Sequence, residues 1–405
     1  MKSCPLCGSI NTKEFLDLGF MPLVNTPGSS RECLPLKLHH CPKCSNVFSN
    51  SPKKPYEIFS DYSYLSSISS DWVSYGRNLV NSTITEFNIS KGSRIAEIAC
   101  NDGYLLGNFI DQGFRNVLGI EPSKKAAVIA REKGITVMND FFSKTTALKI
   151  AGDGKYSLVF ALNVVAHVPD IKDFIGGIRE LLLEKGVAVI QFQYMPDMIK
   201  KMQFDMIYHE HFSYLCLTSV ERALKHCGLR VFQARKVESQ GGSLLMYISH
   251  DTQACNTYFP EETSVQRIRN SEAELKVKSP AVYSDFSEKI RSIIKDNRKY
   301  LLDLIDSGKC LAGYGAAAKA VLFINSLGLS KDIIPCIADM NEIKLGLVLP
   351  GTDIPIVTPD EMLAHNPDYI VIFAWNLREE ISTYLRESKG FSGKLIVFTP
   401  TPVIF

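Results

Sequence analysis

Short apolar runs of four to six residues recur through the middle of the chain, with amphipathic segments of helix length between them. They occupy residues 94–99, 117–120, 135–138, 157–162 and 187–192. Apolar runs of this length are typical of strands buried on both faces, and the segments between them have the periodicity of helices that cover a sheet. The pattern predicts an α/β domain with a parallel, Rossmann-like central sheet.

A second, smaller α/β unit with a Rossmann-like pattern is predicted near the carboxyl end. A charged segment at residues 273–309 has a largely helical pattern and leads into four more apolar runs. These runs are residues 310–314, 333–338, 369–373 and 394–398. Their spacing again predicts parallel strands joined by helices.

A linker is predicted near the amino end, where the polar residues 49–55 include two prolines. Such a composition is typical of a connection between folded units. We therefore expect three domains, at residues 1–60, 61–290 and 291–405.

The composition is that of a globular protein: 405 residues, 45% of them apolar, with 45 Lys and Arg against 43 Asp and Glu. No apolar run approaches the ~20 residues that cross a bilayer, and the first residues lack the apolar core of a secretory signal. No basic block suggests a footprint on a phosphate backbone. We expect a cytoplasmic monomer or weak homo-oligomer that binds neither membrane nor nucleic acid.

Cysteine is concentrated in the first 44 residues, which hold five of the eleven in the chain. Two C-x-x-C pairs, Cys4 with Cys7 and Cys41 with Cys44, together supply the four sulfurs of a structural zinc site. With four ligands filled, such a zinc has no open position, so we assign it to folding rather than to catalysis. The alternative is reduced thiols without a metal. Cys33 is left as a spare, and His39 and His40 are either substitutes for one sulfur or, as the favoured interpretation, ordinary surface residues.

The first central strand ends in a loop with the features of a cofactor site. The strand-end carboxylate of Glu97 is followed by a tight turn and the start of a helix, in the order E-I-A-C-N-D-G-Y-L-L. The loop is not G-x-G-x-x-G, because only Gly103 conforms. A second carboxylate, Glu121, ends the next strand, where it can accept the two hydroxyls of a ribose. Two carboxylates without a phosphate cradle fit S-adenosylmethionine, which has no phosphate.

The third strand adds to this prediction, because Asp140 and Phe141 follow it and offer a carboxylate and an aromatic wall for adenine. Taken alone, Glu97 or Glu121 could be a solvated carboxylate at a strand end; their joint spacing favours the cofactor. The candidate cofactor-binding residues are Glu97, Cys100, Asn101, Asp102, Gly103, Tyr104, Leu105, Glu121, Pro122, Asp140, Phe141 and Asn163.

The densest group of titratable residues is the segment 208–215, Y-H-E-H-F-S-Y-L. An imidazole here can remove a proton while a neighbouring carboxylate or phenol orients it. The motif is not the H-E-x-x-H of zinc enzymes, because His209 and His211 are only two residues apart. His167 follows the fourth strand at the sheet rim, where it is either a ligand contact or a structural histidine. The segment 61–67 offers phenols and hydroxyls, or is a solvated loop.

Two glycine motifs complete the candidates, Gly241-Gly242-Ser243 and the sequence G-Y-G-A-A-A-K-A that begins at Gly313. The second follows a strand and opens a helix, so its amides and Lys319 could meet a pyrophosphate. A nicotinamide site, a structural turn and a platform for a nucleotide-linked substrate are all open, and the last two are favoured.

Five motifs, taken in order, resemble the nucleotide-sugar C-methyltransferase family over essentially the whole chain. They are the double C-x-x-C pair, E-I-A-C-N-D-G-Y-L-L, N-V-V-A-H-V-P-D, Y-H-E-H-F-S-Y-L and G-Y-G-A-A-A-K-A. The resemblance implies a zinc-binding module, a central S-adenosylmethionine fold, and a carboxy-terminal domain that helps hold the substrate. That substrate would be a 4-keto-hexose linked to dTDP or another nucleoside diphosphate such as GDP. Methylation would occur on the carbon next to the ketone, with C3 expected here.

The resemblance also implies the residue roles. The catalytic candidates are Tyr64, His167, Tyr208, Glu210 and His211. The substrate-binding candidates are Ser66, Ser67, Gly242, Ser243, Tyr314 and Lys319. We expect His211 to remove the proton next to the ketone, with Tyr208 or Glu210 supporting the base or the enolate. The family often has H-G-G-S-L-R where this chain reads Q-G-G-S-L-L, which leaves the sugar open.

Three other functions remain possible at this point. An O- or N-methyltransferase would use the same cofactor without needing a base next to a ketone. A non-catalytic zinc-bearing binding module would bind no S-adenosylmethionine. A nicotinamide oxidoreductase would use the turn at Gly313.

Overall fold

The computed structural model describes residues 2–25, 32–60 and 64–405. Within them the strands are β1 (Lys13–Pro22), β2 (Cys33–His40), β3 (Val47–Ser49), β4 (Ile95–Ile98), β5 (Val117–Ile120), β6 (Thr136–Met138), β7 (Tyr156–Leu162), β8 (Leu182–Gln193), β9 (Ser213–Tyr214), β10 (Leu229–Val237), β11 (Ser243–His250), β12 (Leu311–Tyr314), β13 (Ile337–Ala338), β14 (Ile356–Val357), β15 (Tyr369–Ile372), β16 (Lys394–Phe398) and β17 (Pro402–Ile404). The α-helices are α1 (Pro55–Phe59), α2 (Ser70–Glu86), α3 (Tyr104–Asp111), α4 (Lys124–Glu132), α5 (Lys144–Ala151), α6 (Ile171–Leu181), α7 (Met195–Lys201), α8 (Leu217–His226), α9 (Gln253–Tyr258), α10 (Thr263–Glu274), α11 (Pro280–Asp306), α12 (Ala318–Leu327), α13 (Pro359–Ala364) and α14 (Arg378–Thr383).

The amino-terminal module is an antiparallel sheet in the order β1-β2-β3-β9. Its first three strands come from the amino end of the chain, but β9 comes from the segment 208–215 that the sequence singled out. Val47 pairs with Tyr214 and Phe48 with Ser213 across β3 and β9. The module is therefore joined by backbone hydrogen bonds to the densest titratable segment of the protein.

The central sheet has seven strands in the order β10-β11-β8-β7-β4-β5-β6. The five predicted strands are present and parallel, and their apolar side chains are buried on both faces. Helices α5, α6 and α8 pack on one face, and α2, α3 and α4 on the other. The predicted Rossmann-like α/β fold is confirmed, with one addition. Strands β10 and β11 extend the sheet in antiparallel fashion, so the sheet is mixed.

The carboxy-terminal sheet has the order β14-β13-β12-β15-β16-β17 and is parallel except for β17. The helical segment predicted at residues 273–309 corresponds to α11, which Ser279 caps, and to the last two residues of α10, which ends at Glu274. Tyr283, Phe286 and Ile290 of α11 share a core with strands of the amino-terminal and carboxy-terminal sheets. Helix α11 thus spans the predicted domain boundary at residue 290, and the domain boundaries stay predictions.

Among the described residues, none of the helices combines the length and the apolar character needed to cross a bilayer.

Candidate active site

The loop between β4 and α3 makes the tight turn that the sequence predicted. Ala99, Asn101 and Gly103 all have positive φ angles, of 56°, 51° and 76°. At Gly103 a side chain would also collide with Ile135, so the conformation and the close packing both require glycine. The turn brings its backbone amides to the carboxyl edge of the central sheet, where ligands of open α/β sheets bind.

The two predicted strand-end carboxylates lie on either side of this turn. Glu121 accepts hydrogen bonds from the backbone amides of Asn101, at 2.9 Å, and Ser123, at 2.7 Å. Glu97 is buried, and among the described residues its Oε2 atom has no hydrogen-bond partner. Burial, then the charges of Asp102 and Glu121, raise the pKa of Glu97 well above its ordinary value. A cationic group bound beside Glu97 would relieve this cost.

A loop from the start of the central domain lies over the turn. The backbone amide of Ser66 donates to Asn101 Oδ1 at 2.9 Å, and Asn101 Nδ2 donates to the carbonyl of Tyr64 at 3.0 Å. Ser67 donates both its amide, at 3.1 Å, and its hydroxyl to Asp102. The remaining residues of that candidate segment, 61–63, lie outside the described residues.

A cavity of about 640 Å³ opens at this edge of the sheet and reaches into the carboxy-terminal domain. The sequence-predicted residues that line it are Tyr64, Ser66, Glu97, Asn101, Tyr104, Glu121, Pro122, Phe141, Asn163, His167, Tyr208, His211 and Lys319. The other predicted site residues do not line this cavity: Ser67, Cys100, Asp102, Gly103, Leu105, Asp140, Glu210, Gly242, Ser243 and Tyr314. The individual roles of both groups stay predictions.

Two imidazoles lie side by side in the lining of the cavity. The rings of His167 and His211 have centroids 4.9 Å apart, and the Tyr208 ring lies 4.1 Å from that of His211. His167 Nδ1 is 2.8 Å from the carbonyl oxygen of Glu210, and His211 Nδ1 is 3.1 Å from that of Met206. Because a carbonyl oxygen only accepts, each Nδ1 carries the hydrogen, and the neutral ring keeps a lone pair on Nε2.

Both imidazoles favour the neutral form. Burial lowers the pKa of His211 well below its ordinary value, and the charges of His167 and Lys319 lower it further. Burial lowers the pKa of His167 to about 4. A neutral, buried imidazole with a free Nε2 lone pair can act as a general base at neutral pH.

The phenols beside this pair are held in the protonated form. Burial, then the charge of Glu210, raises the pKa of Tyr208 well above its ordinary value. Partial burial, then the charge of Asp102, raises the pKa of Tyr64, a residue that is 41% exposed, to about 12. A protonated phenol can donate a hydrogen bond to a developing oxyanion.

Glu210 and His209 point away from the cavity. Asn25 Nδ2 donates to both carboxylate oxygens of Glu210, at 2.9 and 2.7 Å. His209 Nε2 lies 3.4 Å from the carbonyl oxygen of Pro35 in β2. Residues 208–211 form a turn, because the His211 amide donates to the Tyr208 carbonyl at 3.0 Å. Tyr208 and His211 therefore both line the cavity, whereas His209 and Glu210 between them face the amino-terminal module.

The far end of the cavity carries two lysines from the carboxy-terminal domain, Lys319 and Lys344. Lys319 is 8% exposed, and its ammonium lies 5.5 Å from the ring centroid of Trp375. The Trp375 indole donates to Asp205 at 2.6 Å. Burial lowers the pKa of Lys319, and the charge of Asp205 opposes this shift. The amino end of α12, which has no side-chain cap, lies beside these lysines.

The first glycine motif has a packing role. Gly241, with a φ of 87°, lies directly against the Trp375 ring, which leaves no room for a side chain. Gly242 and Ser243 continue into β11, and Gln240 reaches the cavity instead. In the second motif Tyr314 is buried in the carboxy-terminal core, and Lys319 alone of the named candidates reaches the cavity.

Sequence reasoning missed several lining residues, of which Asn25, Trp72 and Lys344 bear most on function. Lys344 follows β13, so the rule that ligands bind at the carboxyl ends of parallel strands could have found it. Trp72 is one of two tryptophans and lies on α2, where no motif marks it. Asn25 comes from a distant module, and no local pattern signals it.

The four predicted cysteines of the amino-terminal module form one cluster. The ligand atoms of Cys4, Cys7, Cys41 and Cys44 all lie within 4.8 Å of one another. The Cys4 and Cys44 sulfurs are 3.5 Å apart, as are those of Cys7 and Cys41. Four sulfurs at ~2.3 Å from a tetrahedral ion would lie about 3.8 Å apart, so the cluster has the size of a four-thiolate metal site.

Two family models match consecutive parts of the chain. A methyltransferase domain matches residues 73–234, and a C-methyltransferase C-terminal domain matches residues 238–400. C-methyltransferase NovU of Streptomyces niveus is 28% identical in an alignment of 406 positions, which covers 98% of this chain and 96% of that protein. The chain is an S-adenosylmethionine-dependent C-methyltransferase. The C-methyltransferase family predicted from the ordered motifs is confirmed.

Two other similarities cover less than half of this C-methyltransferase. A ubiquinone biosynthesis O-methyltransferase of Rickettsia bellii is 27% identical over 110 residues, which cover 26% of this chain and 44% of that protein. The solved structure of the PH0226 protein from Pyrococcus horikoshii covers 49% of this chain and 99% of its own, at 17% identity and a TM-score of 0.39. A likeness at that level carries no argument about function.

Proposed function

We propose that this C-methyltransferase acts on a 4-keto-deoxyhexose linked to a nucleoside diphosphate, dTDP or GDP, and methylates the carbon next to the ketone, C3. Such a reaction belongs to the synthesis of branched deoxysugars. One observation supports it above all. A single cavity is lined by the strand-end carboxylates of the central sheet, by a pair of neutral imidazoles and by two lysines of the carboxy-terminal domain.

The carboxylate end fits S-adenosylmethionine. When bound, this cofactor supplies an electrophilic methyl group on a positively charged sulfur. The buried Oε2 of Glu97, which lacks a partner among the described residues, suits an ammonium group. Glu121 lies where a ribose diol is accepted in folds of this kind, and Phe141 lines the same end. These residues would hold the cofactor without contacting a phosphate.

The imidazole pair supports carbon as the acceptor. A C–H bond next to a ketone becomes acidic when the enolate oxygen is stabilised. We assign the proton transfer to Nε2 of His211, because its Nδ1 hydrogen is committed to Met206. The phenol of Tyr208 or Tyr64 donates to the enolate oxygen. The resulting nucleophilic carbon would accept the methyl group from the bound cofactor. A carbon–carbon bond would form as the methyl–sulfur bond breaks, S-adenosylhomocysteine would be the leaving group, and the abstracted proton would stay on His211 as the imidazolium.

The basic end supports a nucleotide-linked substrate. Lys319 and Lys344 place two ammonium groups beside the uncapped amino end of α12, a combination that suits a diphosphate. Lys344 also donates to the Ala316 carbonyl at 2.9 Å and lies 3.5 Å from Asp339. Because no phosphate is needed at the cofactor end, we assign the remaining hydrogen-bonding capacity of the two lysines to the substrate.

The cysteine cluster is proposed to hold a structural zinc ion. Its four sulfurs fill a tetrahedral site, which leaves no position for a substrate or a water. The metal would act through the folding of the amino-terminal module and would take no part in the chemistry.

The test of this function is the location of the new methyl group. The protein is incubated with a panel of dTDP- and GDP-linked 4-keto-deoxyhexoses and 13C-methyl S-adenosylmethionine. We expect one sugar to gain a labelled methyl that NMR places on C3. A label on oxygen or nitrogen, or no acceptor among the keto sugars, would contradict the proposal.

A further inference from the structure

Glu210 lies in the middle of the motif that carries His211, yet its carboxylate is held by the amino-terminal module. Asn25 Nδ2 donates to both of its oxygens, at 2.9 and 2.7 Å, across a sequence separation of 185 residues. Glu210 is 1% exposed and does not line the cavity. Hydrogen bonds to a buried carboxylate are strong, so this contact fixes the orientation of residue 210.

The backbone of Glu210 in turn fixes an imidazole. Its carbonyl oxygen accepts from His167 Nδ1 at 2.8 Å, and the His167 ring lies 4.9 Å from that of His211. A rotation of residue 210 would therefore turn the peptide that sets the His167 tautomer. The backbone amide of His211 also donates to the Tyr208 carbonyl at 3.0 Å, which closes a tight turn around residue 210.

The same module holds the end of this segment. The amide of Ser49 donates to the Phe212 carbonyl at 3.0 Å, and the pairing of β3 with β9 follows directly. The amide of Phe212 donates to the carbonyl of Ala166, next to His167, at 2.8 Å. Side-chain and backbone contacts thus connect one module to both imidazoles.

We propose that Asn25 is a positioning residue for the methyl transfer, and that Glu210 is its partner rather than a group that touches the substrate. Asn25 holds the Glu210 carboxylate, and Glu210 presents its carbonyl oxygen to His167. The amino-terminal module thereby completes the active site of the central domain. This inference rests on the proposed role of the imidazole pair.

An exchange of the two side-chain types separates positioning from chemistry. Asn25→Asp places two carboxylates against each other, whereas Asn25→Asp combined with Glu210→Gln restores an amide-to-carboxylate hydrogen bond with the same number of atoms. Glu210→Gln alone keeps an acceptor oxygen for Asn25. Asn11→Asp makes the same chemical change at an exposed position of the module and is the matched control.

We expect Asn25→Asp to lower kcat about 10- to 100-fold, the effect of losing a hydrogen bond to a buried charge. S-adenosylmethionine affinity should change little, because the carboxylate end of the cavity is untouched. The double variant should recover kcat to within a few-fold of the starting protein. Glu210→Gln should be mild and Asn11→Asp silent.

Two results would overturn the inference. If the double variant and Glu210→Gln both had a kcat as low as that of Asn25→Asp, the Glu210 charge itself would be catalytic. An Asn25→Asp variant as active as Asn11→Asp would show that the contact positions nothing. If Asn25→Asp fails to fold, the kcat of Glu210→Gln is compared with that of the double variant. An equally large loss of kcat in both variants would make the Glu210 charge itself catalytic and overturn the inference.

A readout without substrate keeps this inference separate from the proposed function. In 15N-histidine-labelled protein, NMR reports whether the His167 hydrogen is on Nδ1. We expect the Nδ1–H form in the starting protein and in the double variant, and its loss or mixing in Asn25→Asp. An unchanged His167 signal would contradict the inference even in an active enzyme. A starting protein that methylates no keto sugar would contradict only the proposed function.

Discussion

His211 and His167 derive their chemical character from burial and from one carbonyl oxygen each. Burial keeps both rings neutral, and the carbonyl oxygens of Met206 and Glu210 place the hydrogen on Nδ1. A histidine in water would be partly protonated near neutral pH and free to change tautomer. These contacts therefore decide which nitrogen can take a proton.

The substitution His211→Asn removes the proposed base but keeps a polar side chain of smaller volume. We expect kcat for methyl transfer to fall about 100- to 10,000-fold, the usual contribution of a general base. The affinity for S-adenosylmethionine, measured by calorimetry, should stay within a few-fold. His365→Asn, at an exposed histidine of the carboxy-terminal domain, is the control. Full activity in His211→Asn would remove His211 from the mechanism.

The pH dependence of kcat/KM should show the lowered pKa of His211. The imidazole accepts a proton only in its deprotonated form, which predominates above its pKa. Because burial and the charges of His167 and Lys319 lower that pKa well below 6.5, activity should persist below pH 6.5 and then fall about tenfold per pH unit. Fluorescence should confirm that the protein stays folded over this range. An acid limb centred above pH 6.5 would contradict the assignment.

The sequence could predict those site residues whose reactive side chains directly follow a parallel strand. Glu97, Glu121 and His167 follow parallel strands, and residues of known reactivity at that edge point to a ligand. Asn25 could not be found this way, because its function depends on a fold contact 185 residues away. Gly242 stays a prediction: a Gly-Gly pair suggests a ligand loop, but Gly242 does not line the cavity, and its neighbour Gly241 makes room for a tryptophan.

At the scale of elements, the pairing of β3 with β9 links the cysteine cluster to the imidazole segment. Cys41 and Cys44 lie between β2 and β3, so the cluster fixes the hairpin that binds β9. The stability of the metal site should therefore affect the order of residues 208–215.

Cys44→Ser removes one of the four thiols. We expect loss of about one zinc ion per chain, measured by mass spectrometry of the metal, and a fall in Tm of at least about 5 °C. Methyl transfer should fall as well, since β9 loses a rigid partner. Cys33→Ser, at a cysteine outside the cluster, should keep both zinc and Tm. A Cys44→Ser protein with unchanged zinc content would contradict the metal assignment.

The parallel strands could be predicted, whereas the antiparallel additions could not be placed. Buried parallel strands are short apolar runs bounded by helices, a pattern that is visible along the chain. Strands β10 and β11 are also apolar, but only tertiary contact shows that they extend the central sheet next to β8. Strand β9 has two residues, too few for any periodicity, and its partner is β3.

At the scale of the whole molecule, three parts meet at one cavity. The central sheet supplies the carboxylates and His167, the amino-terminal module supplies Asn25, and the carboxy-terminal domain supplies Lys319 and Lys344. Asp205 and Trp375 join the last two domains through a partly buried hydrogen bond. Burial raises the pKa of Asp205 to about 6, and the bond from Trp375 opposes this shift. Each part is needed for a complete site.

Replacement of the two lysines tests the assignment of the carboxy-terminal end. Lys319→Gln and Lys344→Gln should each raise KM for the nucleotide-linked sugar about tenfold, the cost of a lost charge-assisted hydrogen bond. The KM for S-adenosylmethionine should not change. Lys331→Gln, at an exposed lysine of the same domain, is the control. Equal effects on both KM values would argue against a diphosphate site.

The central claim is that the protein makes a nucleophilic carbon next to a ketone, and hydrogen exchange tests it most directly. The protein is incubated with the nucleotide-linked 4-keto sugar in D2O together with S-adenosylhomocysteine, which cannot donate a methyl group. The account predicts that NMR shows deuterium entering at C3, and that His211→Asn abolishes this exchange. The account would be contradicted if C3 showed no exchange in this experiment while the protein still transferred methyl groups from S-adenosylmethionine and His211→Asn remained fully active.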